Sequence, residues 1–549
     1  MTPAHLRRAP VGEIKRTVIV GLVALAAFWA GGCGIGQREE PGPAAGASRR
    51  PSGEIAVAYP EEPPSLNPYL YPGATNATRD LLRPVLPTLL TIDSSLRYRP
   101  GLATRVPSGA DLEGDPFSVT FHLDPGARWS DGAPITSADV YFTWKTILHP
   151  AWRVADRSPY RRLARIDTPD PHTVRLVFDA AYPGWRDLFS GGAFILPEHL
   201  LGDQDFNRAW GSGVPVSGGP FLMESWTPGL EVVYAANPKW WGRPPGLARV
   251  RALIVPDIET AIQLLQAGRV QAVVATTQIN LLARMERLEG VRARARFGTA
   301  WWELAFHHGR PGPSDAAFRK AVALGFDRPG MVEALIRGEG RPLEHLWPGR
   351  RLRPAFSGYR PDPARARRLL AAAGYVEGPN GALTRAGMGK VGLSAPAESE
   401  LVGVLQRTLQ TGLRRVRIEI DIRNRESDLF YGESRSEGDF DLALWERRGT
   451  PSMSLGASFH SGLEPPEGIN YSRMVSPEVD AALEAAERSV HFRDALLERA
   501  MEELAEALPA LPLFEEKSYV GFQSSLRGPD PNATVEGPFW NLEEWELHR

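Results

Sequence analysis

The sequence predicts a mixed α/β protein assembled from several domains. Three observations carry that expectation. At 549 residues the chain is too long for one hydrophobic core, and the size rule suggests roughly three domains. Several segments alternate apolar and polar residues, as half-buried strands do. Finally, residues 254–274 read strand, helix, strand: Ile258, Ile262 and Leu265 form a helical face and Gly268 ends it, a βαβ signal.

Composition narrows the class. Apolar residues make up 43% and charged residues 23%, as in ordinary soluble globular proteins. A net charge of −2 gives no sign of a nucleic-acid partner or a polybasic membrane-binding face. Fifteen Trp and 49 Pro suggest an aromatic-lined molecule with many rigid connections. The single cysteine excludes an internal disulfide and any Cys-based metal cluster.

In chain order, Arg7, Arg8, Lys15 and Arg16 precede a continuous apolar run over 17–30, which ends in Ala30-Gly31-Gly32-Cys33. A bilayer span needs about 20 apolar residues, so 1–32 reads as a secretory signal peptide. The segment 33–52, rich in Gly, Pro, Ala and Ser, reads as a flexible tether. Residues 54–59 alternate as a strand and lead into Glu62-Pro63-Pro64-Ser65-Leu66-Asn67-Pro68. A helix over 78–90 is expected to break at Pro84 and Pro87.

The most informative stretch is 117–148. Phe117, Val119, Phe121 and Leu123 alternate with Ser118, Thr120, His122 and Asp124, which predicts a strand with one buried face. Turns follow at Asp124-Pro125-Gly126 and Ser130-Asp131-Gly132. Thr136 and Asp139 have the spacing of a capping box, in which each side chain satisfies an orphan helix N–H. Val140, Trp144, Ile147 and Leu148 then share a helical face, and Pro150 ends the helix.

Further on, 173–178 reads as a strand and 182–189 is rich in aromatic residues. Ser217-Gly218-Gly219-Pro220 offers backbone that can be approached closely. No G-K-[ST] follows, so a phosphate loop is not indicated. Trp240-Trp241 reads as structural, against Pro244-Pro245. A strand begins at Trp301, and helices are expected over 316–326, 331–336 and 362–374. Strands follow over 417–423 and 439–444, then two helices between Ser476 and Pro509, then strands over 509–514 and 519–522. His307-His308 lack carboxylates at helical spacing and read as an exposed pair rather than metal ligands. No G-x-S-x-G elbow, H-E-x-x-H or zinc-spaced Cys/His set is present.

Taken together, the 117–148 wording with its "DG" turn and "T-x-x-D-V" helix start resembles the family-5 solute-binding proteins, the peptide, dipeptide and nickel receptors of ABC importers. Tyr98-Arg99-Pro100-Gly101-Leu102-Ala103, the 62–68 loop, Ile195-Leu196-Pro197-Glu198-His199-Leu200, Gly218-Gly219-Pro220-Phe221 and Asn237-Pro238-Lys239-Trp240-Trp241-Gly242 extend the resemblance. Phe318-Arg319-Lys320-Ala321 with Phe326-Asp327-Arg328, and the helix from Asp362-Pro363, carry it into the C-terminal half. It implies a two-lobed α/β fold of the periplasmic-binding-protein kind, with an extra domain inserted in the N-terminal lobe. Lobe I would hold 53–93, 191–298 and 510–549, the inserted domain 94–190 and lobe II 299–509.

The resemblance also implies a function. The protein would be a receptor that binds a small solute, a peptide or peptide-like molecule, between its lobes and hands it to ABC permease subunits. It would be a non-enzymatic monomer without cofactor, metal or nucleic acid. The small residues before Cys33 resemble a lipobox, so Cys33 would carry the lipid that anchors the protein to a membrane; plain signal cleavage near Gly32 is the alternative. A secreted lipoprotein hydrolase, or a binding or sensor module without a transport partner, are the alternatives for function.

Peptide-binding relatives place an Asp shortly after a strand like that at Phe440, where it pairs with a free α-amino group. Thr450 stands at that position here, with Trp445, Glu446, Arg447 and Arg448 before it. Glu446 is the substitute amine partner. Arg447 and Arg448 would either clamp a carboxylate or phosphate, which disfavours peptides with a free amino terminus, or form a solvated basic turn. Of Trp301 and Trp302 only one can face the cleft, since neighbours on a strand point to opposite faces. Tyr59 and Tyr71 are further cleft candidates from position alone.

Overall fold

A computed structural model describes residues 50–549 apart from 212, 279, 379, 380, 386, 398, 399 and 549. The segment expected to be a signal peptide, Cys33 and nearly all of the expected tether therefore lie outside the described residues.

The main sheet is built from strands contributed along the whole chain. They are β1 (Glu54–Tyr59), β2 (Phe221–Thr227), β3 (Glu231–Ala236), β4 (Arg249–Ile254), β5 (Ala272–Ala275), β6 (Val291–Phe306), β7 (Val391–Ser394), β8 (Ile420–Ile422), β9 (Leu442–Arg448) and β10 (Ala510–Gln523). Their order is β8-β7-β9-β6-β10-β5-β1-β4-β3-β2, and an eleventh short strand, Arg341–Pro342, pairs with β10. The β1 strand lies between β4 and β5 and runs parallel to both. The expected βαβ unit is thus β4, the helix Ile258–Gln266 and β5, crossing over β1.

Two long antiparallel strands, β6 and β10, lie at the centre of the sheet, and β10 contributes to both of the largest hydrophobic cores. The first half of β6 reads Val-Arg-Ala-Arg-Ala-Arg-Phe, with Arg292, Arg294 and Arg296 exposed; its second half is buried on both faces. That change follows the pattern of the sequence, since two-period alternation gives a strand one wet face and a continuous apolar run does not. Register shifts separate the halves, between Phe297 and Trp301 and between Trp302 and Glu303. One core gathers residues from 55–252 with parts of β5, β10 and the C-terminal segment. The other is made from residues between Trp302 and Phe514. The segments expected at 509–514 and 519–522 form one continuous strand, because Glu515, Lys517 and Ser518 stay paired with β6 and Glu515 also pairs with Arg341.

The 117–148 unit folds as read. Phe117–His122 joins a separate four-stranded antiparallel sheet, with Val119 and Phe121 fully buried. The helix Ser137–Leu148 carries the complete capping box, with the Thr136 amide 2.8 Å from Asp139 Oδ2. Gly219 shows why glycine stands there: a Cβ would lie 2.4 Å from the Pro84 carbonyl oxygen.

Candidate ligand-binding site

A cavity of about 340 Å³ opens between walls drawn from the two cores. On the side of the first core stand Arg79, on the helix Asn76–Leu82, and the loops bearing Asp156, Tyr160, Tyr182, Asp187 and Gly192. The opposite wall is β9 with Trp301 of β6, together with Tyr431, Arg435 and Tyr471.

Strand register explains this second wall. Trp301 pairs with Arg447 and Glu303 with Trp445, so these four side chains share one face of the sheet. At their centre is Glu303, fully buried, which accepts from Trp301 Nε1 at 3.1 Å, Trp445 Nε1 at 2.8 Å and Arg447 Nε at 2.6 Å. On the other face Glu446 accepts from Arg448 Nε at 2.7 Å. Arg448 Nη1 crosses to the first wall, 2.9 Å and 3.2 Å from the two Asp80 carboxylate oxygens. Tyr59 donates to the same Asp80 at 3.0 Å. Burial opposes the charge on Arg448, yet Glu446 and Asp80 hold its pKa well above the usual range. Burial raises Asp80 despite Arg448.

Of the residues singled out from sequence, Trp301, Glu446, Arg447, Arg448 and Thr450 line the cavity. The basic-turn alternative is corrected: β9 continues through Arg448, and neither guanidinium is solvated. Both guanidinium groups already have acidic partners in this structure: Glu303 pairs with Arg447, and Asp80 with Glu446 pairs with Arg448. Trp302 faces the second core and donates to Glu516 at 3.0 Å. Trp445 packs behind the wall against Phe440 and Tyr471. Tyr59 is committed to Asp80, and Tyr71 lies 3.4 Å from the Tyr471 hydroxyl without lining the cavity. His307 and His308 are not exposed. Burial pushes them down to about 4 and about 3, and His308 Nε2 lies 3.2 Å from the Leu508 carbonyl.

Thr450 does not leave the position without an acid. Its hydroxyl donates to Asp187 Oδ2 at 2.6 Å, and Tyr98 and Ser452 donate to Oδ1 of the same carboxylate. Burial pushes Asp187 up to about 6, although these hydroxyls favour its ionised form. Asp187 comes from the aromatic-rich 182–189 segment, whose composition was the one local hint. Arg79, Asp156, Arg435 and Tyr471 had none, since they meet only through long-range folding.

The family described as bacterial extracellular solute-binding proteins, family 5, matches residues 97–462. Protein XP55 of Streptomyces lividans is 27% identical over 503 residues, covering 88% of this chain and 89% of the relative. The oligopeptide-binding protein OppA of Mycobacterium bovis is 25% identical over 458 residues, 80% of this chain and 75% of its own length. Among solved structures, the oligopeptide-binding protein AppA of Bacillus subtilis, in complex with a nonapeptide, superposes with a TM-score of 0.81. That match has 19% identity and covers 91% of this chain and all of AppA. The fold is therefore that of the two-lobed binding proteins, and the chain belongs to the family-5 bacterial extracellular solute-binding proteins.

Proposed function

We propose that this protein is a lipid-anchored, extracytoplasmic receptor that encloses a small peptide or peptide-like solute and delivers it to an ABC permease. The observation that carries the reading is the cavity itself. It is bounded by two separately cored halves, lined by aromatic rings and a few placed charges, and lies at the lower end of the roughly 300–1,000 Å³ range of small-molecule sites. The names of the OppA and AppA relatives support a peptide or related ligand. We assign 53–93, 191–298 and 510–549 to one lobe, 299–509 to the other and 94–190 to an inserted domain; the separate four-stranded sheet within 112–178 supports treating 94–190 as a unit of its own. Glu303, Arg447, Arg448 and Asp187 are engaged with structural partners rather than set as a catalytic pair, so binding is the activity the site supports.

A native mass spectrum of protein purified from its host tests this directly. A retained solute, released on unfolding, is the expected result. Absence of any retained mass, with no shift in melting temperature across a library of short peptides, would refute the reading. For the anchor, Cys33→Ser is expected to yield soluble or unprocessed protein, as shown by membrane fractionation. A mature-sized variant that sediments with membranes like wild type would exclude lipidation at Cys33.

A further inference from the structure

On the face of the sheet opposite Glu303, a line of buried polar groups crosses from one half to the other. Trp302 pairs with Glu446 of β9, and its Nε1 donates to Glu516 of β10 at 3.0 Å. The Thr277 amide, just past β5, donates to the other Glu516 oxygen at 2.9 Å. Arg448 lies at the far end, held by Glu446 and by Asp80, to which Tyr59 of β1 also donates. Among the described residues one guanidinium thus faces three buried carboxylates, the most exposed of them, Glu446, at 9%. The half-buried Glu61 adds a further negative charge that acts on Arg448. Of the other groups facing Glu516, Thr276 is uncharged, and Tyr519 is held at 2.8 Å by Glu339, which Lys517 Nζ meets at 3.4 Å. Two features mark the place. Phe297 pairs with Lys517 and Trp301 with Glu515, so Glu516 sits where the register of β6 slips. A second cavity of about 10 Å³, roughly the room of one water, reaches Tyr59, Glu61, Asp80 and Arg448.

We propose that Asp80, Glu446 and Glu516 around Arg448 form a proton-operated switch: together they take up one proton when the walls meet and release it when the walls part. The switch concerns how the halves move and does not depend on which solute they enclose. Surplus negative charge is costly away from water, and a proton removes part of it. Glu516 is where the proton binds most readily. Glu446 lies 2.7 Å from Arg448, and Asp80 has both Arg448 and Tyr59, whereas the groups that hydrogen-bond Glu516 are uncharged. Burial and the Glu446 charge push Glu516 well above the usual carboxylate range, although the Thr277 amide and Arg448 oppose this. Interacting acids titrate as a group, so the proton belongs to the set rather than to one oxygen. Parting the walls takes Asp80 away from Arg448 and lets water reach the belt, which restores ordinary acidity. The group therefore holds its proton more tightly with the walls together. Closure is favoured while that proton is bound, and the advantage is lost as pH rises through the raised value. The position of Glu516 at the slip in β6 puts the titrating charge where the sheet would bend.

Small-angle scattering on the full chain, freed of retained solute, from about pH 6.5 to about pH 9.5 tests the switch; this range lies above the window in which Asp187 titrates. The radius of gyration is expected to rise with pH while circular dichroism stays constant. Glu516→Gln, neutral at every pH, should keep the compact radius throughout. Glu516→Asp should restore a pH-dependent radius, and the exposed Asp203→Asn should follow the unaltered chain. Infrared difference spectra give a second readout. At neutral pH the unaltered chain should show a protonated-carboxyl band that Glu516→Gln loses, amounting to about one group per chain. Glu543, which burial raises to about 7, lies outside the belt and contributes equally to both spectra. A radius of the unaltered chain that stays constant or falls as pH rises would overturn the inference, and that result needs no variant to fold. So would a Glu516→Gln protein whose radius follows pH like the unaltered chain, or one that keeps the full carboxyl band.

Discussion

Asp187 concentrates the physics of the site in one side chain. It sits at the cavity with three hydroxyl donors and no cation at ion-pair distance among the described residues, and burial lifts it to about 6. The unfolded chain releases this proton near 3.8, so between those values the folded protein binds more protons than the unfolded one. Stability contributed by Asp187 is therefore greatest in acid, falls as pH rises from about 4 to about 6, and is constant above. The full shift corresponds to roughly 3 kcal/mol. Asp187→Asn keeps the shape and removes the titration. Thermal melts of both proteins from pH 4 to 7 should show wild type losing stability relative to the variant across that window. Parallel curves would mean that Asp187 is not perturbed. Little of this was legible in the sequence. Thr450 was singled out because an expected acid was missing there, yet the acid it meets is 263 residues away in the chain. Arg447 and Arg448 read as a free basic pair because their neutralising partners, Glu303 and Asp80, are just as remote.

Elements were far easier to read, because their causes are local. The capping box at Thr136 and Asp139 needs only four consecutive residues, and it forms as spaced. Its two members are not equivalent. Thr136 Oγ1 accepts from the Ala138 amide at 3.2 Å and from the Asp139 amide of the capping box, both at the exposed helix start. Asp139 accepts the Thr136 amide at 2.8 Å and the Glu198 amide at 3.0 Å, tying the helix start to the 198 segment. Thr136→Ala should cost about 1 kcal/mol and Asp139→Ala about 2, since the second removes a buried carboxylate and leaves two partly buried donors unpaired. Urea unfolding would measure both; a larger loss for Thr136→Ala would contradict the assignment. Element ends were less legible where the tertiary environment sets them. The β9 strand was expected to stop near Leu444 because charged residues follow, but buried carboxylates let it carry Glu446, Arg447 and Arg448 onward. The single β10 strand was split for the same reason: Glu515, Glu516 and Lys517 look like a loop, while Glu516 is buried and accepts from Trp302 and the Thr277 amide.

For the whole molecule, the two largest cores and the β10 strand that contributes to both set how it can move. Contacts across the cavity hold the walls together in this structure: Arg448 with Asp80, Arg162 with the buried Glu487 at 2.9 Å, Thr450 with Asp187, and Tyr71 with Tyr471. The register of β6 is irregular between Phe297 and Trp301. A hinge there would part the walls without disturbing either core. Parting them would expose Asp80 and Arg448 to water, which lowers the cost of separating that pair, so the empty protein should spend part of its time open. A ligand that touches both walls can only draw the population toward the closed form, by as much as its affinity differs between the two. Small-angle scattering should therefore show a smaller radius of gyration when the solute released from the native protein is added back to saturation. A radius that stays constant through the titration while calorimetry reports binding would show that the halves form one rigid body, with the cavity filled by local motions of its loops.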